Sequence, residues 1–213
     1  MLVCLTVGAV VLTAAASNAG RMSHQRAAQQ DYLTTSSAAQ LLRAELEGLR
    51  FAGREQRRHD GGTGAVTEEV LSPEDNASGA LTAQVSAMAA AVFQTQTVYA
   101  VPSGTLPGSL TMTVTVPEFD EVTAVLSMDG DYQITVTLSF SDGRGTHPLT
   151  LTLPAYVDEQ TVTTVTSYEV SYTDMVDIDG VPTPVTYYDT YYITTTVRTV
   201  SVSWDGGTIA KGD

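Results

Sequence analysis

The chain has 213 residues, enough to bury a substantial core, and a formal net charge of −14. Its single cysteine, Cys4, excludes an intrachain disulfide and argues against a cysteine-ligated zinc site. Residues 61–213 hold nineteen acidic residues against three basic ones, so this part should repel nucleic acid and anionic membrane surfaces. No nucleic-acid partner is expected.

An apolar block opens the chain and runs from Met1 to Ala16, with small residues continuing to Gly20. Its length is near the lower edge of what spans a bilayer. A secretory signal peptide should carry a basic segment before the apolar residues, and this block has none. We expect residues 1–20 to form a membrane-inserted helix segment. The candidate membrane contacts are Leu2, Val3, Leu5, Val7, Gly8, Val10, Val11, Leu12, Ala15 and Ala16.

The helical pattern continues past the apolar block. Residues 21–58 contain no proline, and their apolar residues recur at intervals of three and four, as on one face of an amphipathic helix. The sequence therefore predicts one helix from about residue 2 to residues 52–58, apolar first and amphipathic over 21–58. At 1.5 Å per residue it would be on the order of 80 Å long, which is more than a compact domain needs.

An apolar helix that turns amphipathic without a break, followed by a β-rich region, resembles type IV pilins and their minor-pilin and pseudopilin relatives. The matching residues lie within 1–55 and include the stretch QQDYLTTSSAAQLLRAELEGL. The resemblance implies a membrane-inserted subunit whose N-terminal helix packs with those of other pilin-like subunits in a filament. Residues 1–20 would then form the filament core, and the candidate membrane contacts would also be assembly contacts. The resemblance also implies a short basic leader that a membrane peptidase has removed.

The start of the apolar block departs from the pilin pattern. Pilins usually carry a glutamate a few residues into the helix, whereas MLVCLTVG contains no acidic residue. Two explanations stay open. Either the native N-terminus lies upstream, or the chain is a minor subunit that lacks this glutamate.

The middle of the chain predicts a linker and then a second, short helix. Several glycines and a proline interrupt residues 59–79, which is typical of a long connection. Asn76-Ala77-Ser78 within it matches a glycosylation sequon, a triplet that is common by chance. The following stretch, ALTAQVSAMAAAVFQTQ, is rich in alanine and places its larger apolar residues on one stripe, as expected of a helix that packs on the core.

Apolar residues and threonines alternate in the segments LTMTVTV, YQITVTLSF and PLTLTLP. Such alternation predicts antiparallel strands with one buried face and one exposed face. Met128-Asp129-Gly130-Asp131 predicts a hairpin turn, and FSDGRGTHP predicts another after Phe140. Residues 80–213 are therefore expected to form one β-rich extracellular domain of about seven strands.

Two long β-type runs, TVTTVTSYEVSY and TYYDTYYITTTVRTVSVSW, flank a turn region that contains Asp179-Gly180. We expect them to form a long hairpin. The apolar phase of the second run changes between Val197 and Val200, which predicts a β-bulge near Arg198-Thr199. Tyrosines occur in pairs along this run, either as ordinary strand residues or as a contact surface; they are Tyr187, Tyr188, Tyr191 and Tyr192.

Few residues suggest chemistry. Asp174, Asp177 and Asp179 are weak candidates for a calcium site, but their spacing departs from known calcium loops and a solvated hairpin loop is the favoured interpretation. No motif for nucleophilic or phosphate chemistry is present in the sequence. His147, in a predicted turn, is the residue that an enzyme hypothesis would depend on. No cofactor is expected.

The predicted fold class is α+β: a long N-terminal helix packed on a mostly antiparallel sheet domain, with one further short helix. The favoured function is a structural subunit, of the minor kind, in a pilus-like or pseudopilus filament at the cell membrane and cell surface. The alternative is a single-pass membrane-anchored surface protein whose β-rich domain binds a partner or carbohydrate. An enzyme ranks third.

Overall fold

A computed structural model describes residues 2–71, 80–102, 104–117, 120–140 and 148–212, with side chains from Gly20 onward except that of Leu71. Within these residues the chain is α+β, as predicted, with two helices and two sheets of antiparallel strands. It divides into two compact units, each built from separated segments. One unit comprises residues 1–48, 108–154 and 204–213, and the other comprises 49–107 and 155–203.

The helices are α1 (Leu2–Leu46) and α2 (Ala80–Thr95). The strands are β1 (Arg50–Asp60), β2 (Val66–Leu71), β3 (Leu110–Val114), β4 (Val122–Met128), β5 (Ile134–Phe140), β6 (Leu149–Leu153), β7 (Ala155–Ile178), β8 (Val181–Trp204) and β9 (Thr208–Lys211).

The first unit packs α1 on a five-stranded sheet of order β3-β4-β5-β6-β9, through β4, β5 and β6. The apolar/threonine alternation explains strands β5 and β6, because their apolar residues are buried while the residues between them are more exposed. Helix α1 contributes Ala38, Ala39, Leu42 and Leu46, all buried. The two alanines let the helix backbone lie close to the strands.

The two predicted hairpin pairings in this sheet are confirmed. Strand β4 pairs with β5 across the turn at Asp129–Asp131, and β5 pairs with β6 in antiparallel register. Asp129 stabilises the first turn, since its carboxylate accepts hydrogen bonds from the backbone N–H groups of Asp131 and Gln133, each at 2.9 Å.

The second unit places α2 against β1 in a four-stranded sheet of order β2-β1-β8-β7. The predicted second helix is confirmed, and its buried residues follow the helical period. They are Val85, Met88, Ala89, Val92 and Phe93. The sheet supplies Phe51 from β1 and Val200 and Val202 from β8, all buried.

The expected continuation of the first helix to residues 52–58 is wrong. Helix α1 ends at Leu46, where Gly48 adopts a φ of 85°, and Arg50–Asp60 is the inner strand β1. Strand β2 likewise occupies residues predicted as linker. The two-residue period of β1 was hidden because the buried positions after Phe51 are Gly53 and Glu55, which do not look apolar in the sequence.

The expected long hairpin is confirmed, but the bulge in its second strand is not. Asp179 and Gly180 form a two-residue turn with φ values of 55° and 81°, as a type I′ hairpin turn requires. Strand β8 pairs with β1 residue for residue from Ile193 to Ser203, without interruption. The change of apolar phase has another cause: Arg198, Val200 and Val202 are buried on one face, whereas the opposite face is half-buried.

Within the part of the chain that the structure describes, no helix is long and apolar enough to cross a membrane. The candidate membrane and assembly contacts, from Leu2 to Ala16, lie outside the residues whose side chains are described. The sequon at Asn76 and His147 also fall outside the described residues.

Candidate functional site

The second unit carries a two-stranded ribbon, formed by residues 167–178 of β7 and 181–192 of β8, which we call the free ribbon. Strand β1 accompanies β8 only as far as the pair Asp60↔Ile193, followed by a hydrogen bond from Gly61 N–H to the Tyr192 carbonyl oxygen. Beyond that point the described residues place no third strand beside the ribbon. Twelve residues per strand correspond to roughly 40 Å of length.

Cross-strand contacts fix the register of the free ribbon. Thr163 and Thr196 approach through their hydroxyl oxygens at 3.2 Å, as do Thr173 and Thr186 at 3.1 Å. Both pairs continue the register that the Asp179-Gly180 turn sets, with Ile178 opposite Val181. The ribbon is therefore regular from its tip to the sheet.

One face of the free ribbon is lined by tyrosine pairs. Tyr172 and Tyr187, directly opposite each other, stack with ring centroids 5.3 Å apart, and Tyr168 and Tyr191 lie 5.8 Å apart. Such cross-strand aromatic pairs stabilise a sheet that has no third strand. Two of the tyrosines noted in the sequence, Tyr187 and Tyr191, therefore have a structural role.

The opposite face of the free ribbon presents the other two tyrosines to solvent. Tyr188 is 68% exposed and Tyr192 is 57% exposed, and Met175 on the same face is 60% exposed. Exposed aromatic and methionine side chains of this kind are enriched in contact surfaces. The arrangement therefore favours the contact-surface interpretation of Tyr188 and Tyr192.

All the charged residues of the free ribbon are acidic. It contains four acidic residues, a fifth lies in the turn at its tip, and neither the ribbon nor the turn contains lysine or arginine. They are Glu169, Asp174, Asp177, Asp179 and Asp189. A partner of this surface should therefore carry positive charge.

The base of the free ribbon is tied to the β1–β2 turn. The Tyr168 hydroxyl donates a 2.7 Å hydrogen bond to Asp60 Oδ1, which also accepts from Gly62 N–H at 2.9 Å. The bond from Tyr168 lowers the pKa of Asp60 and raises the pKa of Tyr168. Gly62 lies against the Tyr168 hydroxyl and the Tyr191 ring, so a side chain there would displace them.

A buried ion network lies within the second sheet, where β1 pairs with β8. Arg198 Nη1 donates to Glu55 Oε1 at 2.7 Å, and its Nε and Nη2 bind both oxygens of Glu159 at 2.8 and 3.0 Å. The Arg198 guanidinium also lies over the ring of Phe93, 5.9 Å from the centroid. Glu55 is fully buried, whereas Glu159 is half exposed.

Backbone groups complete the network around Glu55. The N–H groups of Val98 and Tyr99, just after α2, each donate to its carboxylate at 3.0 Å. Burial raises the pKa of Glu55, but the hydrogen bonds from Tyr99, Arg198 and Val98 outweigh it, so the net pKa lies below the ordinary value. Glu55 is therefore held as a carboxylate and joins β1, β8 and the segment after α2.

The weak calcium candidates do not converge. Asp174 and Asp177 point to opposite faces of β7 because their positions differ by an odd number. Their carboxylates accept hydrogen bonds from nearby backbone, Asp174 from Met175 N–H and Asp177 from Gly180 N–H. Among the described residues no group of three or more metal-binding side chains is close enough together to hold an ion.

Sequence reasoning missed the Arg198–Glu55–Glu159 network. The three residues are far apart in the chain, and each resembles an ordinary surface charge. One local signal was available: Arg198 is the only lysine or arginine in residues 145–210, and it interrupts a stretch, 190–204, that is otherwise uncharged. A lone charge in such a position favours a buried ion pair.

No family model, curated protein or solved structure matches this chain. The proposals below therefore rest on its own residues and on the resemblance of its N-terminal pattern to pilins.

Proposed function

We propose that the chain is a minor structural subunit of a type IV pilus-like or pseudopilus filament. In this proposal residues 1–20 lie in the membrane before assembly and pack among the helices of other subunits afterwards. Burial of apolar side chains drives that packing where water would otherwise reach them. Small residues, among them Gly8, Ala15 and Ala16, permit close approach of neighbouring helices.

The observation that carries the proposal is the change of environment along α1. From Thr34 to Leu46 the helix buries side chains toward its own sheet, whereas residues 20–30 are exposed. Tyr32 and Leu33 are each more than half exposed. A helix whose C-terminal part packs on its own sheet while the residues before it are exposed suits a subunit that presents its N-terminal part to neighbouring subunits.

We propose in addition that α1 is one continuous rod from residue 2. Helix-favouring residues and the absence of proline and internal glycine between Ala9 and Ala19 support this. A continuous rod would transmit the position of the anchored end, near Leu46, to the apolar segment.

The proposal is tested by a charge placed in the apolar block. Val10→Asp should abolish membrane retention and incorporation into filaments, because an uncompensated carboxylate is costly in lipid and between packed helices. Fractionation of cells after mechanical shearing, with electron microscopy of the high-speed pellet, measures both. Tyr188→Ala, on the exposed ribbon, is the matched control and should behave as wild type.

The second candidate function is a membrane-anchored surface protein whose ribbon binds a partner. The exposed face with Tyr188 and Tyr192 favours it. This candidate predicts that sheared, lipid-free material contains none of the protein, while the membrane fraction retains all of it. Finding the chain in lipid-free filaments would favour the pilin-like proposal instead.

A further inference from the structure

The direction of each backbone group along the outer edge of β7 follows from the hairpin turn. A two-residue turn makes its flanking residues, Ile178 and Val181, a hydrogen-bonded pair, and hydrogen-bonded pairs then alternate along the ladder. Even-numbered residues of β7 therefore bond to β8. The N–H and C=O groups of the odd-numbered residues between 167 and 177 point away from it, toward an edge that has no neighbouring strand among the described residues.

The two edges of the free ribbon differ in what blocks them. On β8 the outward-facing positions include Pro182 and Pro184, which have no N–H to offer. Strand β7 has no proline, lysine or glycine in its 24 residues. Proteins usually close an exposed edge with proline, with charged side chains or with bulges; β7 has no proline and its charged residues are all acidic, so its edge is a template for a strand of opposite charge.

We propose that the outer edge of β7, from residue 167 to 177, binds an extended basic segment of a partner polypeptide as an added antiparallel or parallel strand. Backbone hydrogen bonds to the odd-numbered residues would supply affinity, as in other cases of strand addition. This goes beyond the proposed function, because a subunit that assembles through its N-terminal helix has no need of this edge.

The charge of the free ribbon identifies the occupant. Glu169, Asp174 and Asp177 lie on the strand itself, and no basic residue of the ribbon balances them. A second copy of β7 would bring the same three carboxylates to the interface, which like-charge repulsion disfavours. A partner strand with lysine or arginine among β-branched residues is complementary in both charge and backbone.

The test uses the whole protein and a synthetic peptide of about ten residues, the length of a long strand, in which valine and threonine alternate with lysine. Amide hydrogen exchange with and without the peptide measures the protection of each backbone N–H group. The expected result is saturable binding that protects the odd-numbered amides of β7 between 167 and 177. The same peptide with glutamine in place of lysine should bind at least about tenfold more weakly at low salt.

Two matched variants separate edge pairing from general contact with the ribbon. Thr173 and Thr186 are directly opposite each other and share one hydroxyl contact, so Thr173→Pro and Thr186→Pro remove the same interaction. Both proline rings face outward, but only the first occupies the β7 edge. Thr173→Pro should weaken peptide binding about tenfold, because the edge loses hydrogen bonds and the proline ring blocks the added strand. Thr186→Pro should leave the affinity within about twofold of the wild-type value.

Three results would overturn the proposal. Equal binding by the two proline variants would show that the β7 edge is not the site, and equal binding of the glutamine peptide would exclude the charge argument. Protection of the same amides in the protein alone, rising with its concentration, would make a second copy the occupant. The Val10→Asp experiment is independent of all three, so the two proposals can fail separately.

Discussion

At the residue scale, the most informative side chain is Arg198. It neutralises the charge of the fully buried Glu55 carboxylate and at the same time forms a bidentate ion pair with Glu159. A buried ion pair of this kind adds little net stability compared with apolar residues, but removal of one partner leaves the other charge uncompensated. Its role is therefore to fix how β1, β8 and the residues after α2 come together.

Arg198→Leu should lower the free energy of unfolding by about 3–5 kcal/mol, because Glu55 would remain buried without its cation. The midpoint of urea denaturation measures this. The exposed pair Arg57–Glu68, with nitrogen and oxygen 3.5 Å apart, provides the control, and Arg57→Leu should cost less than about 1 kcal/mol. The double variant Glu55→Met with Arg198→Leu should recover part of the loss; no recovery would contradict this account of the network.

At the element scale, the packing of α2 on β1 depends on a glycine, Gly53, that leaves room for a ring of the helix. A Cβ atom on Gly53 would lie 2.5 Å from the ring of Phe93, and Phe93 also packs edge-on against Phe51 at 6.4 Å. The glycine lets the aromatic ring of the helix lie directly on the strand backbone. This close approach explains why a central strand tolerates a residue that usually weakens strands.

Gly53→Ala should destabilise the protein by roughly 1–3 kcal/mol, since the ring of Phe93 would have to move. Gly20→Ala is the matched control: nothing lies within 4 Å of its added Cβ, and alanine favours helix, so it should be neutral or stabilising by up to about 1 kcal/mol. Thermal unfolding of both variants gives the comparison. Adding Phe93→Leu should relieve Gly53→Ala, and an equal cost in both backgrounds would exclude the steric explanation.

The same elements show what sequence patterns can and cannot predict. Strands β3, β5 and β6 were predictable because each alternates apolar residues with threonine or serine, and the β7–β8 turn because Asp179-Gly180 is a specific hairpin signal. Strand β1 was not, since its buried face carries a glycine and a glutamate. Their environment is created by Phe93 and Arg198, which are distant in sequence and cannot be inferred from local periodicity.

The contact surface of the free ribbon could be predicted only in part from such sequence patterns. Paired tyrosines predict one ring on each face of a strand, and the structure agrees for Tyr187 and Tyr188. Whether a third strand lies beside the ribbon depends on β1 ending at Asp60, and that in turn depends on the turn at Gly61–Gly64. No pattern within β8 itself contains that information.

At the scale of the whole molecule, charge dominates. The pKa values of Glu47, Glu55, Asp60 and Glu159 are all lowered in the folded protein. For Glu47 and Glu159 the leading cause is a hydrogen bond from arginine, Arg43 and Arg198 respectively. The folded state therefore binds fewer protons than the unfolded state in mild acid.

Stability should consequently be constant near neutral pH and fall as the pH drops through the carboxyl range, below about 4. The sign follows from the lowered pKa values: their contribution is present above the unfolded pKa and is lost as the pH falls through the folded one. Urea midpoints measured from neutral pH down to about pH 3 test this. Glu55→Gln should give a shallower dependence than wild type, and an unchanged slope would contradict the assignment.

The order in which the chain supplies its two units has a consequence for biogenesis. The sheet of the first unit needs β9, Thr208–Lys211, to pair with β6, and the second unit needs β8. Neither can close until synthesis has passed β8 for the second unit and β9 for the first. If the chain is exported while it is still being made, it will cross the bilayer unfolded, and its maturation will take place on the far side in a single late step.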